Sequence, residues 1–286
     1  MAVSQSMKGV SSIPLADGRS MTATYIGHAS VLLEMHGCSL ITDPMFSDRL
    51  ATIFTKRRAP MRFDPSTVPA LDAVLLSHGH HDHMDLRSLK TLGRRRKIIL
   101  PRGLAYPLMI RRFRDVVSAR PGESFGIGTA TVTVVPAHHF GGRPPFYFTA
   151  GYQGYVISHE KCVYFAGDTG FDEKMFRDIG RRFAIDLAIL PIGAYYPPSF
   201  RKHHMNPEDA VEALRLLGAK HFIPIHFETF SMSMEPIDEP RKRLVAAATG
   251  AAVMESLFIL NSGESLCLNG QGAMRCDRLI PSKAPL

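Results

Sequence analysis

The sequence is poor in features that would point to several classes of protein. It contains no tryptophan and only four cysteines, Cys38, Cys162, Cys267 and Cys276, which lie far apart and form no Cys-x-x-Cys pair. Disulfide scaffolds and structural zinc modules need closely spaced cysteines. We therefore expect all four cysteines to be buried free thiols in a reducing compartment.

Long apolar runs are also missing. No run approaches the ~20 apolar residues that a membrane-spanning helix needs, and the most apolar longer stretch, residues 245–260, is interrupted by Thr249, Gly250 and Glu255. Residues 1–10 do not show the charged segment followed by an apolar one that is typical of a secretory signal peptide. These absences predict a cytoplasmic protein.

The remaining composition is that of an ordinary globular chain. Hydrophobic residues make up 45% and charged residues 21% of 286 residues, which is enough chain for one large domain or two small ones. The sequence shows no internal repeat, low-complexity segment or clear linker. We therefore expect a single domain over residues 1–286, with residues 1–20 as a loosely ordered arm.

The formal net charge is +8, and much of it lies in four basic clusters. These occupy residues 56–58, 94–97, 111–114 and 181–182. Three of them close helix-like segments, where cations interact favourably with the helix dipole. The alternative is attraction to anions, such as phosphoesters, an anionic membrane surface or nucleic acid. Charge alone does not choose, but the chain lacks the interleaved aromatic and basic residues of single-strand nucleic-acid binders.

Apolar patterning predicts strands that alternate with helices. Strands are expected over residues 22–33 (two strands that meet near Gly27), 39–42, 98–100, 116–118, 129–135, 154–158, 162–165, 186–192 and 221–227, with further short strands near the C-terminus. Helices are expected over residues 86–97, 104–114, 171–183, 207–217 and 239–248, and residues 45–70 form a long loop. This order is typical of an α/β protein whose sites collect at one edge of its sheets.

The strongest functional signal is His-Gly-His-His-Asp-His at residues 78–83, directly after an apolar run. In an extended chain His78 and His80 project to the same side, and Asp82 and His83 then offer a second set of ligands. Imidazole and carboxylate ligands suit two divalent ions, typically Zn²⁺, with Mn²⁺ or Fe²⁺ as alternatives. The bland alternative is a histidine-rich surface loop, which four potential ligands within six positions disfavour.

This motif resembles the signature of the metallo-β-lactamase superfamily, which implies a four-layer αββα sandwich. The resemblance also implies that later strands supply further ligands, including an Asp in a Gly-Asp-Thr-Gly turn. One ion would be held by His78, His80 and His139 (or His138), the other by Asp82, His83 and His226, with Asp168 between them. The Ala-x-His pattern of related sequences favours His139 over His138.

A narrower resemblance is to the group of N-acyl-phosphatidylethanolamine-hydrolysing phospholipases D. It rests on residues 26–30, 42–47, 166–170, 191–195, 206–210 and 225–230. The sequence departs from that group at His203, where a Gln is usual, and at Phe227, where a Trp is usual. The resemblance implies a binuclear phosphodiesterase in which a hydroxide shared by two ions attacks a lipid phosphoester.

The same resemblance suggests roles for side chains near the metals. Asp82 and Asp168 would be catalytic as well as ligating, and His204 would bind the phosphate or assist proton transfer. Substrate contacts are expected from His28, Tyr195, His203 and His204. Asp43 ends a strand before a proline, which is usual for a turn former, and it is also placed to orient a metal-bound histidine.

Two other functions use the same residues. The metals would serve equally well in a lactonase or another carboxylic ester hydrolase, and a non-catalytic member of the fold would bind a metabolite. The complete set of seven ligands argues against the non-catalytic member. The expected partners are a small-molecule or lipid phosphoester and, peripherally, an anionic membrane surface, and the sequence allows a homo-oligomer.

Overall fold

The computed structural model describes residues 19–52, 55–143 and 150–277. The strands in these ranges are β1 (Arg19–Gly27), β2 (Ser30–Met35), β3 (Cys38–Thr42), β4 (Ala73–Leu75), β5 (Lys97–Pro101), β6 (Asp115–Ala119), β7 (Ser124–Ile127), β8 (Ala130–Val135), β9 (Gly154–Ser158), β10 (Cys162–Phe165), β11 (Leu187–Pro191), β12 (His221–Ile225), β13 (Ser265–Asn269) and β14 (Gly272–Cys276). The helices are α1 (Leu86–Leu92), α2 (Ala105–Met109), α3 (Glu173–Arg182), α4 (Pro207–Leu217) and α5 (Glu239–Gly250).

The strands form two mixed sheets. The first has the order β14-β13-β1-β2-β3-β4-β5-β6, and the second has the order β12-β11-β10-β9-β8-β7. Strands β3 to β6 are mutually parallel, as are β10 to β12, whereas the other neighbouring pairs are antiparallel. Parallel neighbours need crossover connections, and α1, α2, α3 and α4 lie in four of these connections.

The hydrophobic core has three layers because alternate side chains of each strand face opposite ways. On β8, Val134 packs between the two sheets, whereas Val135 belongs, with Phe176 of α3, to the cluster on the outside of the second sheet. On the outside of the first sheet, Leu89 of α1 and Leu108 of α2 belong to a third cluster. Helices therefore cover the outer face of each sheet, which confirms the four-layer αββα sandwich.

Local signals explain where the helices begin and end. Asn206 and Asp209 form a reciprocal capping box at the start of α4, and Gly218 ends it in the left-handed conformation with φ of 61°. The first two helices are shorter than the sequence predicts. Gly93, with φ of 100°, ends α1. α2 ends at Met109, and the chain cannot continue as a helix through Arg112, three residues later, whose φ is 63°. Neither conformation continues a right-handed helix.

The cysteines and the N-terminal arm differ in how they compare with the expectations from the sequence. Cys267 and Cys276 form a disulfide, so the expectation of four free thiols is wrong for this pair. They lie nine residues apart on β13 and β14, and the hairpin brings them together without a short sequence motif. Cys38 and Cys162 are free. The loosely ordered arm falls mostly on residues 1–18, outside the described residues, while Arg19 and Ser20 belong to β1.

The loops that matter for function leave the sheets at one edge. Asp43 follows β3, the histidine motif follows β4, His139 follows β8, Asp168 follows β10 and His226 follows β12. All five strands have the same sense within their own sheets, so their carboxyl ends lie together. Within the described residues, no helix is long and apolar enough to cross a membrane.

Candidate metal centre

Three imidazoles converge on one side of the loop that follows β4. His78 Nε2 lies 2.8 Å from His80 Nδ1, and His139 Nε2 lies 3.4 Å from the same atom. The rings of His78 and His139 are buried, and that of His80 is partly exposed. Three nitrogens at this spacing are a donor set suited to a divalent ion such as Zn²⁺.

A second group lies beside the first. Asp82 Oδ2 is 3.1 Å from His83 Nε2 and 3.3 Å from His226 Nε2. His28 joins this group, because its Nε2 lies 2.8 Å from the same carboxylate oxygen. All four side chains are buried. Two imidazoles and a carboxylate form the second donor set that the sequence predicts.

Asp168 connects the two groups. Its Oδ2 lies 3.1 Å from Nε2 of both His83 and His226, 3.8 Å from Nε2 of His78 and 4.0 Å from Nε2 of His139. Its other oxygen, Oδ1, is buried and has no hydrogen-bond partner among the described residues. A carboxylate in this position is placed to contact two ions at once.

Hydrogen bonds outside the cluster orient three of the imidazoles. His83 Nδ1 donates to Asp43 Oδ2 at 2.7 Å, and His139 Nδ1 donates to the carbonyl oxygen of His203 at 2.9 Å. Ser77 donates its only hydroxyl proton to Asp43, so Ser77 Oγ must accept from Nδ1 of His78 at 2.9 Å. In its neutral form each ring therefore carries its proton on Nδ1 and turns Nε2 towards the cluster, which is the tautomer that binds a metal.

The structure distinguishes the two neighbouring histidines after β8. His139 is buried within the cluster, whereas the side chain of His138 is 52% exposed and lies 4.0 Å from Asp172. Only His139 is brought together with His78 and His80. This geometry agrees with the preference for His139 that the sequence pattern gives.

The electrostatics of the cluster favour bound cations. Burial alone would raise the pKa of Asp168, but His226 and His83 outweigh burial and hold this pKa well below its ordinary value. Burial would likewise lower the pKa of His83, yet Asp168, Asp82 and Asp43 raise it well above its ordinary value. The pKa of Asp82 is likewise held well below its ordinary value, so Asp82 and Asp168 are ionised at neutral pH and stabilise positive charge at the place where divalent ions would supply it.

The residues present fit a metal centre on their own geometry. Oδ1 of Asp168 and Nε2 of His83 are buried without a hydrogen-bond partner among the described residues, which is costly unless another ligand satisfies them. Both atoms belong to residues of the predicted ligand set. A divalent ion on each side of Asp168 would satisfy them and the converging imidazoles.

His28 lies deeper than a substrate-binding role requires. Its ring is 2% exposed, and burial lowers its pKa to about 3, so the ring is neutral at physiological pH. Its Nε2 must therefore carry the proton that it shares with the ionised Asp82. The structure places His28 as a group that holds Asp82 in orientation.

The remaining predicted residues divide into two sets. His204 is buried beside the cluster, with Nδ1 3.8 Å from Asp168 Oδ2, and burial lowers its pKa to about 4. The ring of His203 lies nearer the surface and stacks edge-to-face with Phe140. Tyr195 does not join the cluster. It is buried, and its hydroxyl donates to Glu239 of α5 at 2.8 Å.

Several supporting residues carry no signal in the sequence. Arg143 is buried and its Nη1 donates to the carbonyl oxygens of Gly79 at 3.1 Å and Met84 at 2.8 Å, so it clamps the histidine loop. A lone arginine in a loop gives no pattern from which this contact could be predicted. Ser77 orients His78, and the only hint of this role in the sequence is that Ser77 directly precedes the motif.

The backbone around the centre is also constrained. His28, Asp43 and His226 have positive φ angles of 58°, 31° and 62°, which are uncommon for residues other than glycine. A Cβ atom on Gly193 would collide with the carbonyl oxygen of His226. Non-glycine residues held in this region are typical of functional sites, where the surrounding structure imposes the conformation.

Comparisons with known proteins agree with this geometry. Residues 39–227 match the model of the beta-lactamase superfamily domain. The chain is 36% identical over 246 residues to N-acyl-phosphatidylethanolamine-hydrolyzing phospholipase D 1 of Caenorhabditis elegans, an alignment that covers 78% of this chain and 68% of the relative. It is 34% identical over 218 residues to a metal-dependent hydrolase of Exiguobacterium sp., with 73% and 87% of the two chains covered.

Solved structures show the same fold at lower sequence identity. An isothiocyanate hydrolase from Delia radicum gut bacteria superposes with a TM-score of 0.70 at 20% identity, over 87% of this chain and 99% of its own. Together with the family match over more than half of the chain, the curated relatives confirm the resemblance that the histidine motif indicates. The chain belongs to the beta-lactamase superfamily and is one of its metal-dependent hydrolases.

Proposed function

We propose that the protein hydrolyses the phosphodiester bond of a lipid of the N-acyl-phosphatidylethanolamine type. It would use two divalent ions, for which Zn²⁺ is the first choice and Mn²⁺ or Fe²⁺ are the alternatives. One relative is named for this activity. The donor sets of the metal centre suit two ions, and the side chains around the entrance suit a lipid. The exposed aromatic residues at the entrance are the observation that favours a lipid phosphoester over a small polar phosphoester as the substrate.

The seven ligand residues would share the ions in the arrangement that the distances suggest. His78, His80 and His139 would hold one, and Asp82, His83 and His226 would hold the other, with Asp168 contacting both. Divalent ions bound there would supply positive charge for the phosphoryl oxygens and acidify a water molecule. The carboxylates of Asp82 and Asp168 are already ionised, so they would bind the divalent ions without first losing a proton.

His204 is the proposed group for proton transfer and phosphate binding. It is neutral at physiological pH because burial lowers its pKa to about 4, and its buried Nδ1 has no hydrogen-bond partner among the described residues. A neutral imidazole with one free nitrogen can accept a proton or share one with the substrate. The departing N-acylethanolamine oxygen requires a proton, which this group would help to deliver.

Aromatic side chains form an apolar rim at the entrance. Phe140 is 48% exposed, yet its ring stacks within 4.8 Å of His80 and 4.7 Å of His139. Phe200 is also exposed and lies 6.5 Å from the ring of His204. Large exposed apolar groups beside a polar centre suit the hydrocarbon portion of a substrate, since a small polar substrate would gain nothing from them.

A second apolar surface supports contact with a membrane. Tyr106, Met109 and Ile110, on α2 and just after it, are each more than half exposed. Arg111 lines the same cavity of about 350 Å³ as Tyr106 and Ile110, and Arg112 follows it in the chain. Exposed apolar side chains beside cations are complementary to an anionic bilayer, so we propose that this face docks there.

Membrane docking can be tested by sedimentation with vesicles. Wild-type protein should bind phosphatidylglycerol vesicles better than phosphatidylcholine vesicles, and Ile110→Asp should lose most of that binding. Met274→Asp is the matched control, because Met274 is similarly exposed on β14, at the opposite edge of the first sheet. Equal binding by the two variants would contradict docking through α2.

The activity itself is tested by following phosphatidic acid release from N-acyl-phosphatidylethanolamine in mixed micelles with zinc-loaded protein. Water supplies the oxygen that joins phosphorus, and N-acylethanolamine leaves with a proton. Asp168→Ala should show no release above background. If zinc-loaded wild-type protein released no phosphatidic acid but hydrolysed a lactone, the phosphodiesterase proposal would be wrong and carboxylic ester hydrolysis would replace it.

A further inference from the structure

A separate cavity of about 110 Å³ lies beside the residues that follow His226. Arg57 and Arg62 from the long loop line it, as do Arg241 of α5 and Tyr25 of β1. None of the seven metal-ligand residues lines this cavity. It is far larger than the ~10–15 Å³ that a single water needs. Three arginines are among the residues that line it.

Arg57 is the unusual member of this set. It is 8% exposed, and its Nη2 donates to the carbonyl oxygens of Met45 at 2.6 Å and Ser47 at 3.3 Å. Its Nε is buried without a hydrogen-bond partner among the described residues. Its guanidinium lies 5.1 Å from the centre of the Phe230 ring. Asp48 and Asp85 attract this guanidinium electrostatically, but its direct contacts are carbonyl oxygens and a ring, and it makes no ion pair with a described residue. A buried arginine without a direct ion pair is unusual.

The other charges around the cavity leave a positive balance. Arg241 makes a bidentate pair with Glu228, with both N–O distances at 2.7 Å. Arg62 lies exposed at the edge, and together with Arg275 it helps to lower the pKa of Glu264, which does not line the cavity. Three guanidinium groups therefore face one carboxylate among the lining residues. Nearby Glu264 is engaged with Arg275 at 2.9 Å.

The walls also provide a neutral hydrogen-bond donor. Burial raises the pKa of Tyr25 to about 12, so its hydroxyl keeps its proton at physiological pH. This hydroxyl and the guanidinium groups of Arg57 and Arg62 offer donors, and the one lining carboxylate, Glu228, is held by Arg241. Guanidinium groups bind tetrahedral and planar oxyanions through paired N–H groups, and such bonds are stronger than bonds between neutral groups.

We propose that this cavity is a second ligand site, which binds a small phosphate-type oxyanion between Arg57, Arg62 and the Tyr25 hydroxyl. The anion would give Arg57 a direct ion pair in addition to the longer-range attraction of Asp48 and Asp85. It would also lie one aromatic ring away from the metal centre, because Phe230 stacks on His28 with ring centres 5.4 Å apart. The site is independent of the reaction proposed above, since it shares no ligand residue with the metal centre.

Calorimetric titration of metal-loaded protein with inorganic phosphate tests this proposal. We expect a binding event that Arg62→Gln weakens about tenfold, the loss of one charge-assisted contact. Arg57→Lys should weaken it at least as much, since a lysine keeps the charge but not the fork. Arg181→Gln removes an exposed arginine of α3 that does not line the cavity, and should leave the event unchanged.

The metal centre is a second place where phosphate can bind, so its contribution must be measured separately. The inhibition constant of phosphate for hydrolysis reports on the metal centre and should be the same in wild type and Arg62→Gln. Parallel titration with glycerol 3-phosphate separates free phosphate from phosphate carried on a larger molecule. If neither arginine variant changes any binding event for either anion, the cavity is not an oxyanion site.

Discussion

The carboxylate of Asp43 offers a sharp test of how the metal centre is held. Asp43 Oδ1 accepts from the backbone N–H of Ser77 at 2.7 Å, and Oδ2 accepts from the Ser77 hydroxyl at 2.5 Å and from His83 Nδ1 at 2.7 Å. All three donors are buried. Burial raises the pKa of Asp43, while His83 and the Ser77 donors act to lower it. The three accepted hydrogen bonds favour the carboxylate form, which keeps a proton of His83 on Nδ1 and directs Nε2 towards an ion.

Asp43→Asn keeps the size of the side chain but removes the charge and one acceptor. If the amide oxygen keeps the Ser77 N–H, the amide N–H₂ then faces His83 Nδ1–H, and His83 must change tautomer and present Nε2–H to the ion. Two charge-assisted hydrogen bonds of about 1.5–3 kcal/mol each set the upper limit of this loss. Since the ring can partly readjust, we expect metal affinity to fall roughly 10- to 100-fold, which corresponds to about 1.4 kcal/mol for each factor of ten.

Metal affinity would be measured by competition with a chelator series, together with kcat/KM at saturating Zn²⁺. Asp72→Asn is the matched control, because Asp72 Oδ2 also accepts a backbone N–H, that of Ser39 at 2.8 Å, but lies exposed on the surface. We expect the Asp72 variant to retain wild-type affinity. An Asp43→Asn protein with unchanged affinity for both ions would refute the orienting role of Asp43.

His139→Ala should lose one ion and at least about 10²-fold in kcat/KM, whereas the exposed His138→Ala should change either value less than about twofold; equal losses would reverse the assignment. Gly193→Ala should disturb the loop of the last ligand histidine and lower metal content, while Gly250→Ala, which meets open space at the end of α5, should leave metal content unchanged. Arg143→Gln should lower the unfolding free energy by about 2–3 kcal/mol through two weakened bonds to buried carbonyls, visible as a lower Tm by circular dichroism; an unchanged Tm would show that the clamp is dispensable.

Much of the fold could be predicted because its strands carry strong local patterns. The alternation of residues 129–135 matches β8, and the cap at Asn206 with Gly218 eleven residues after Pro207 matches α4. The candidate ligands stand out in the sequence for a related reason, since each lies where an apolar strand ends. Family resemblance supplied the pairing of those ligands into two sets.

Other features depend on contacts between distant segments, so no local pattern predicts them. β7, over residues 124–127, is short, partly exposed and not apparent from the sequence. The disulfide between Cys267 and Cys276 requires the hairpin geometry of β13 and β14. The hydrogen bond between His28 and Asp82 joins residues 54 positions apart, and Arg57 meets Phe230 across an even longer separation.

Metal analysis tests the central claim most directly. Purified wild-type protein, dialysed against Zn²⁺ and then metal-free buffer, should retain two ions per chain by inductively coupled plasma mass spectrometry. Asp168→Ala, which removes the carboxylate between the two donor sets, should retain fewer than one. Wild-type protein with fewer than one ion per chain, or an Asp168→Ala variant that keeps both, would contradict a binuclear centre built around Asp168.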